Sequence, residues 1–219
     1  MGQDILDIGY LALPKNSNGM GVIVIQEWWG LVPHIKDVAE RFAAAGYVTL
    51  APDIYNGTTT KSPDEAQRLF MALNIEKAAQ ELESAIDCVL KHPSVKINKL
   101  GVVGFCMGGQ LALLAATTSE HVGAVVDFYG VHPNVSPDFS RLTAPVLGLF
   151  GETDDFVPPA TVLQLEAAIQ QAGGSIESHS YPGAGHAFFN DSRPEAYRVD
   201  AATDAWQRVL TFLPQALAA

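Results

Sequence analysis

Three residues could form a nucleophile, an acid and a base: Cys106, Asp154 and His186, in that chain order. Cys106 lies in Gly104-Phe105-Cys106-Met107-Gly108-Gly109. The apolar run Leu100–Val103 comes before it, and a helical pattern beginning at Gly109 and Gln110 comes after it. This reads as a strand, a very tight turn and a helix, with the sulfur at the apex. The apex residue takes a strained backbone conformation. A Cβ two positions to either side would meet the neighbouring strand or helix, which accounts for Gly104 and Gly108. At a helix N-terminus the free N–H groups and the dipole favour negative charge on the sulfur. A cysteine that only packs, as Cys88 is expected to do on its helical face, needs no such glycine frame.

The other two candidates also follow strands. Gly151-Glu152-Thr153-Asp154-Asp155-Phe156-Val157-Pro158 directly succeeds the run ending at Phe150. A carboxylate just past the C-terminal end of a strand points into the crevice where open α/β sheets bind ligands. Asp155 is closer to capping the next helix, so Asp154 is the better acid. His186, in Gly183-Ala184-Gly185-His186-Ala187-Phe188, follows the last strand between flexible glycines. It is the only one of six histidines in such a setting; His34 and His92 sit at helix ends, where exposed or capping roles are usual. Nucleophile, acid and base in this order form the α/β-hydrolase pattern, with Cys replacing the Ser of G-x-S-x-G. In that fold the residue after the nucleophile gives one oxyanion N–H, here Met107. The loop after an early strand gives the second, here Trp28 in Gln26-Glu27-Trp28-Trp29-Gly30. Glu27 is unusual beside an oxyanion hole, because its charge would repel the developing anion. A neighbouring thiol supplies a reason: Glu27 can hold or accept the Cys106 proton.

The positioning elements alternate. Strands are expected at Val22–Ile25, Tyr47–Ala51, Leu100–Phe105, Ala124–Phe128, Val146–Phe150 and Ile176–Tyr181. Helices are expected at about Pro33–Ala45, Pro63–His92, Gly109–Thr117, Pro159–Ala172 and Pro194–Leu213. Such alternation predicts a single-domain α/β-hydrolase fold over residues 1–219, with a mostly parallel central sheet and helices on both faces. The central runs are continuously apolar, as strands covered on both faces must be.

Composition excludes several classes. The chain has 219 residues, 48% hydrophobic and 17% charged, enough for one full core. A net charge of −11 without a basic stripe argues against nucleic acid as partner. Two cysteines make no disulfide framework, which fits a reducing, cytoplasmic setting. The N-terminus lacks a basic region followed by an apolar one, so no signal peptide is expected. No apolar run reaches a membrane span. Oligomeric state is left open between monomer and dimer.

The chain resembles the dienelactone hydrolase (carboxymethylenebutenolidase) family. The matching residues are Gln26-Glu27 before the Trp pair, Ala51-Pro52-Asp53-Ile54-Tyr55, the Cys106 elbow, Phe128-Tyr129-Gly130, Gly151 through Pro158, and Gly185-His186-Ala187-Phe188. The resemblance implies a Cys–His–Asp hydrolase without cofactor or metal, acting on a small lactone or ester through a thioester. It also implies that Glu27 interacts with the thiol. Trp29, Tyr129 and Phe188 are expected at the pocket. Family members that cleave dienelactone are expected to grip its carboxylate with two arginines, and the corresponding places here are Gly57 and Asn190. Neither side chain can reproduce a bidentate Arg–carboxylate pair. Lys61, Arg68 and Arg193 are the cations nearby in sequence.

Overall fold

The computed structural model describes residues 2–5 and 8–218. Its centre is an eight-stranded sheet: β1 (Gln3–Ile5), β2 (Gly9–Ala12), β3 (Gly21–Ile25), β4 (Val48–Pro52), β5 (Leu100–Phe105), β6 (Val122–Phe128), β7 (Val146–Gly151) and β8 (Ile176–Tyr181). The strand order is β1-β2-β4-β3-β5-β6-β7-β8. The β1–β2 and β2–β4 pairs are antiparallel. From β4 through β8 every pair is parallel. The interior strands β3 to β7 are buried along their whole length, which explains their unbroken Val, Ile and Leu runs.

Among the described residues six α-helices flank the strands: α1 (Pro33–Ala44), α2 (Pro63–Met71), α3 (Ile75–Leu90), α4 (Met107–Thr118), α5 (Pro159–Gln171) and α6 (Val199–Leu217). On one face α1 meets α6, where the rings of Phe42 and Trp206 lie 4.6 Å apart. On the other face α3 packs beside α4. α4 is apolar all round and almost wholly buried, as a helix running along the middle of a sheet must be.

The structure departs from the sequence expectation in three places. First, the antiparallel β1–β2 pair at the sheet edge was not expected. Its strands are short, and Gln3-Asp4-Ile5 carries no apolar run. Second, the helix expected over Pro63–His92 is two helices. Asn74 ends the continuity by accepting the Lys77 N–H at 2.9 Å, a local bond that competes with the helical ladder. Third, the last helix starts at Val199 rather than Pro194 and runs to Leu217 through Pro214. Its late start has a local cause: the Arg198 N–H donates to the Phe188 carbonyl at 3.0 Å, which holds Arg198 extended.

The topology creates one reversal. From β3 the chain moves outward to β4, then crosses back to β5 on the opposite side of β3. The C-terminal ends of β3 and β5 therefore flank the place where open α/β sheets generally bind ligands. The loop after β3 holds Glu27, Trp28 and Trp29, and the turn after β5 holds Cys106.

Candidate active site

Cys106 is the residue between β5 and α4, with φ 54° and ψ −120°. For a residue with a Cβ this is a costly conformation, kept only where the surroundings impose it. They do so through the backbone. Cys106 N–H donates to Phe128 O at 3.0 Å, while its carbonyl accepts from Gly109 at 2.9 Å and Val131 at 3.2 Å. Gly104 and Gly108 leave no space for side chains: a Cβ would stand 1.8 Å from the Gly108 carbonyl oxygen in the first case and 2.4 Å from that of Ile25 in the second. Strain gathers here. Of the four non-glycine residues with positive φ among the described residues, three are Cys106, Tyr129 and Ala187, the last adjoining His186.

Asp154 and His186 meet above the ends of β7 and β8. His186 Nδ1 lies 2.8 Å from Asp154 Oδ2. The other Asp154 oxygen accepts the N–H groups of Phe156 at 2.8 Å and Val157 at 3.0 Å. Burial would raise the Asp154 pKa, but His186 and these two amides hold it below the usual carboxylate range. Asp155 is exposed. Burial would also lower the His186 pKa. The Asp154 hydrogen bond and the influence of the nearby Cys106 sulfur override that effect and raise it to about 10. The Met107 and Trp28 amides donate no hydrogen bond among the described residues.

Glu27 is buried, and its carboxylate is engaged. Asn190 Nδ2 donates to Oε2 at 2.7 Å, and the Tyr129 hydroxyl donates to Oε1 at 3.5 Å, a long contact. The Tyr129 ring also lies 5.0 Å from that of His186. Burial, then the charges of Glu27 and Cys106, push the Tyr129 pKa up, so its hydroxyl stays a donor. No hydrogen bond joins Glu27 to Cys106 among the described residues. In the sequence Asn190 stands only where an arginine is lacking; its grip on Glu27 is a contact that spacing alone does not reveal.

The remaining candidates divide. Trp29 is half-buried beside the site, with the Arg193 guanidinium 5.4 Å from its ring centroid and Glu195 bonded to that guanidinium at 2.9 Å. Arg68 is exposed and paired with Glu65 at 2.5 Å. Phe188 is fully buried and backs the Tyr129 ring at 5.4 Å instead of facing solvent. Gly57 lies in an open loop, with no atom near where a Cβ would stand. Two expectations are revised. Cys88 is half-buried at the margin of the core. His34 is buried in the first turn of α1, its Nδ1 3.2 Å from Asp191, which also pairs with Arg41. That contact ties α1, which succeeds the Trp28 loop, to the segment that follows His186.

One buried acid plays no part in these bonds. Asp127, at the end of β6, is fully buried, and neither oxygen makes a well-formed hydrogen bond. Its Oδ1 fills the space that a Cβ on Gly109 or Gly130 would need. Burial pushes its pKa up to about 7, offset only in part by the Gly130 amide. The folded chain therefore holds a proton here that the unfolded chain releases near pH ~3.9, and stability falls as pH rises through that interval. Asp127→Asn is expected to flatten this fall. Urea midpoints at pH 4.5 and 7.5 should differ less in the variant than in the parent.

An elbow between β5 and α4, an acid after β7 and a histidine after β8 define the α/β-hydrolase class. Comparison with known proteins narrows this further. The dienelactone hydrolase family profile matches residues 8–217. Protein usf of Aquifex pyrophilus is 33% identical, covering 95% of this chain and 93% of its own. A probable 2-oxo-3-(5-oxofuran-2-ylidene)propanoate lactonase of Bradyrhizobium is 33% identical, covering 97% and 94%. The crystal structure of a provisionally assigned dienelactone hydrolase from Klebsiella pneumoniae superposes with a TM-score of 0.84 at 32% identity, covering 94% and 92%. The chain belongs to the dienelactone hydrolase family and is a hydrolase of the ester- and lactone-cleaving kind. No described helix is long and apolar enough to cross a membrane.

Proposed function

We propose that this protein cleaves small neutral esters or lactones through a thioester on Cys106. The observation that carries the reading is the sulfur at a strained apex, together with a histidine ring whose Nδ1 is held by a buried carboxylate. The Cys106 thiolate attacks the carbonyl carbon. The Met107 and Trp28 amides receive the charge that develops on oxygen. His186, oriented by Asp154, gives its proton to the departing alcohol, then takes one from water as water attacks the thioester. The acid leaves and the thiolate–imidazolium pair returns.

The preference for neutral substrates follows from the cations. Gly57 offers none, and the Asn190 amide is committed to Glu27. Arg193 and Arg68 each pair with an acid, and Lys61, exposed and without a salt bridge among the described residues, is the remaining nearby cation, a single point charge that makes no bidentate clamp. A family relative carries a lactonase name for an anionic lactone, so a panel of neutral and carboxylated esters and lactones decides the substrate. A panel that yields no thioester by mass spectrometry and no turnover beyond that of Cys106→Ala rejects the mechanism.

Glu27 is the residue whose role most needs a test. Its negative charge opposes a thiolate nearby, and its oxygens are bonded away from the sulfur. Glu27→Gln is therefore expected to speed iodoacetamide capture of Cys106 at neutral pH and to change the pH dependence of that capture. Slower capture would make Glu27 the proton acceptor for the thiol; an unchanged profile would make it a bystander.

A further inference from the structure

The turn that satisfies Asp154 also fixes an exposed aromatic ring against His186. Asp154 Oδ1 accepts the Phe156 and Val157 amides. Val157 is buried in a small cluster with Phe150 and Val162, so the turn is anchored to the sheet. Between these fixed points the Phe156 ring lies 4.9 Å from the His186 ring, tilted by 54°. Yet Phe156 is 60% exposed, one of few large apolar side chains left in water. A large apolar ring held open to solvent at a catalytic centre marks surface that gains from being covered.

The chemistry says what covers it. When the tetrahedral intermediate collapses, the bond from carbonyl carbon to alcohol oxygen breaks, and that oxygen takes the proton from His186 while the acyl group stays on sulfur. The alcohol portion must then lie beside the imidazole. Glu152 and Asp155, both exposed on the same turn, disfavour an anionic group there. We infer that Phe156 forms the wall of the leaving-group subsite and selects esters whose alcohol is uncharged and flat, an aryl or arylmethyl alcohol. This rests on His186 being the proton donor, as proposed above.

The experiment compares benzyl and ethyl esters of one acid. Both give the same acyl-enzyme, and kcat/KM reports the steps through alcohol departure. The benzyl ester is expected to be the better substrate of the parent chain. In Phe156→Ala the benzyl-to-ethyl ratio of kcat/KM should fall about ten-fold, the scale of a lost apolar contact in a pocket, with Phe156→Leu between the two. Alanine keeps the backbone N–H, so Asp154 retains its bonds. Because the ratio is read within each variant, any displacement of His186 cancels. A ratio unchanged in Phe156→Ala, including an equal loss on both esters, would overturn the subsite while leaving the hydrolase reading intact. Failure of the parent to cleave either ester would overturn both.

Discussion

Cys106→Ala is expected to cut ester turnover by about 10⁴–10⁶-fold, and His186→Ala by a similar factor, with both chains still folded. The double variant should be scarcely worse than either single one, because the nucleophile is useless without its proton partner and the partner has nothing to activate alone. Cys106 is buried and His186 half-buried beyond the strand ends; the first change removes only a sulfur atom, and both variants keep the backbone bonds of their turns. His186 does leave a structural trace. Its pKa is raised to about 10 in the fold, so the stability it contributes is full below its ordinary value of 6.5 and is lost as pH rises toward 10. His186→Ala should therefore flatten the alkaline fall in the urea midpoint as well as abolish turnover. Alkylation must be followed by peptide mapping, since half-buried Cys88 offers a slower second thiol. Turnover that survives full modification of Cys106 would remove the sulfur from the mechanism, and a simple product of two single losses in the double variant would show that the two residues do not act together.

The sequence carried the parts of this site that depend on strand ends. Leu100–Phe105 and Ile176–Tyr181 were legible to the residue because apolar or alternating runs are bounded there by glycine and turn residues. Cys106, Asp154 and His186 were legible for the same reason: each lies just beyond a strand, in a glycine-bearing turn. What stayed hidden depends on contacts between distant segments. Asn190 and Glu27 are 163 positions apart, and no local pattern predicts that one amide holds the other's carboxylate. Phe156 reads as an ordinary loop residue until the Asp154 turn aims it at the imidazole. The break at Asn74 was missed because its flanks share one apolar periodicity, and a single side-chain bond decides against the longer helix. Asp127 is the intermediate case. It stands alone as a charge in a continuous apolar strand, a visible anomaly, but its place beneath Gly109 and Gly130 required the fold.

Gly104→Ala is expected to be the most damaging single-methyl change in the chain. The added carbon would stand 1.8 Å from Gly108 O and 2.1 Å from Gly108 C, both backbone atoms of the first turn of α4. No rotamer relieves such a contact. Relief requires moving α4 away from β5, which would also expose the buried face of that helix and displace the Met107 amide from its proposed oxyanion position. A loss of roughly 3 kcal/mol or more is expected, in the range that overpacking of a rigid core produces. Gly183→Ala separates this steric cost from conformational cost. Gly183 also precedes a site residue and has φ +66°, but no atom lies within 4 Å of where its Cβ would be. That variant should lose only about 1–2 kcal/mol, the strain of a left-handed residue with a side chain. Urea midpoints of the two variants, measured with iodoacetamide capture of Cys106 in the folded state, distinguish the causes. If Gly104→Ala unfolds no earlier than Gly183→Ala and its thiol reacts as in the parent, the elbow tolerates a side chain at its entrance, and the glycine frame is no requirement of placing the sulfur there.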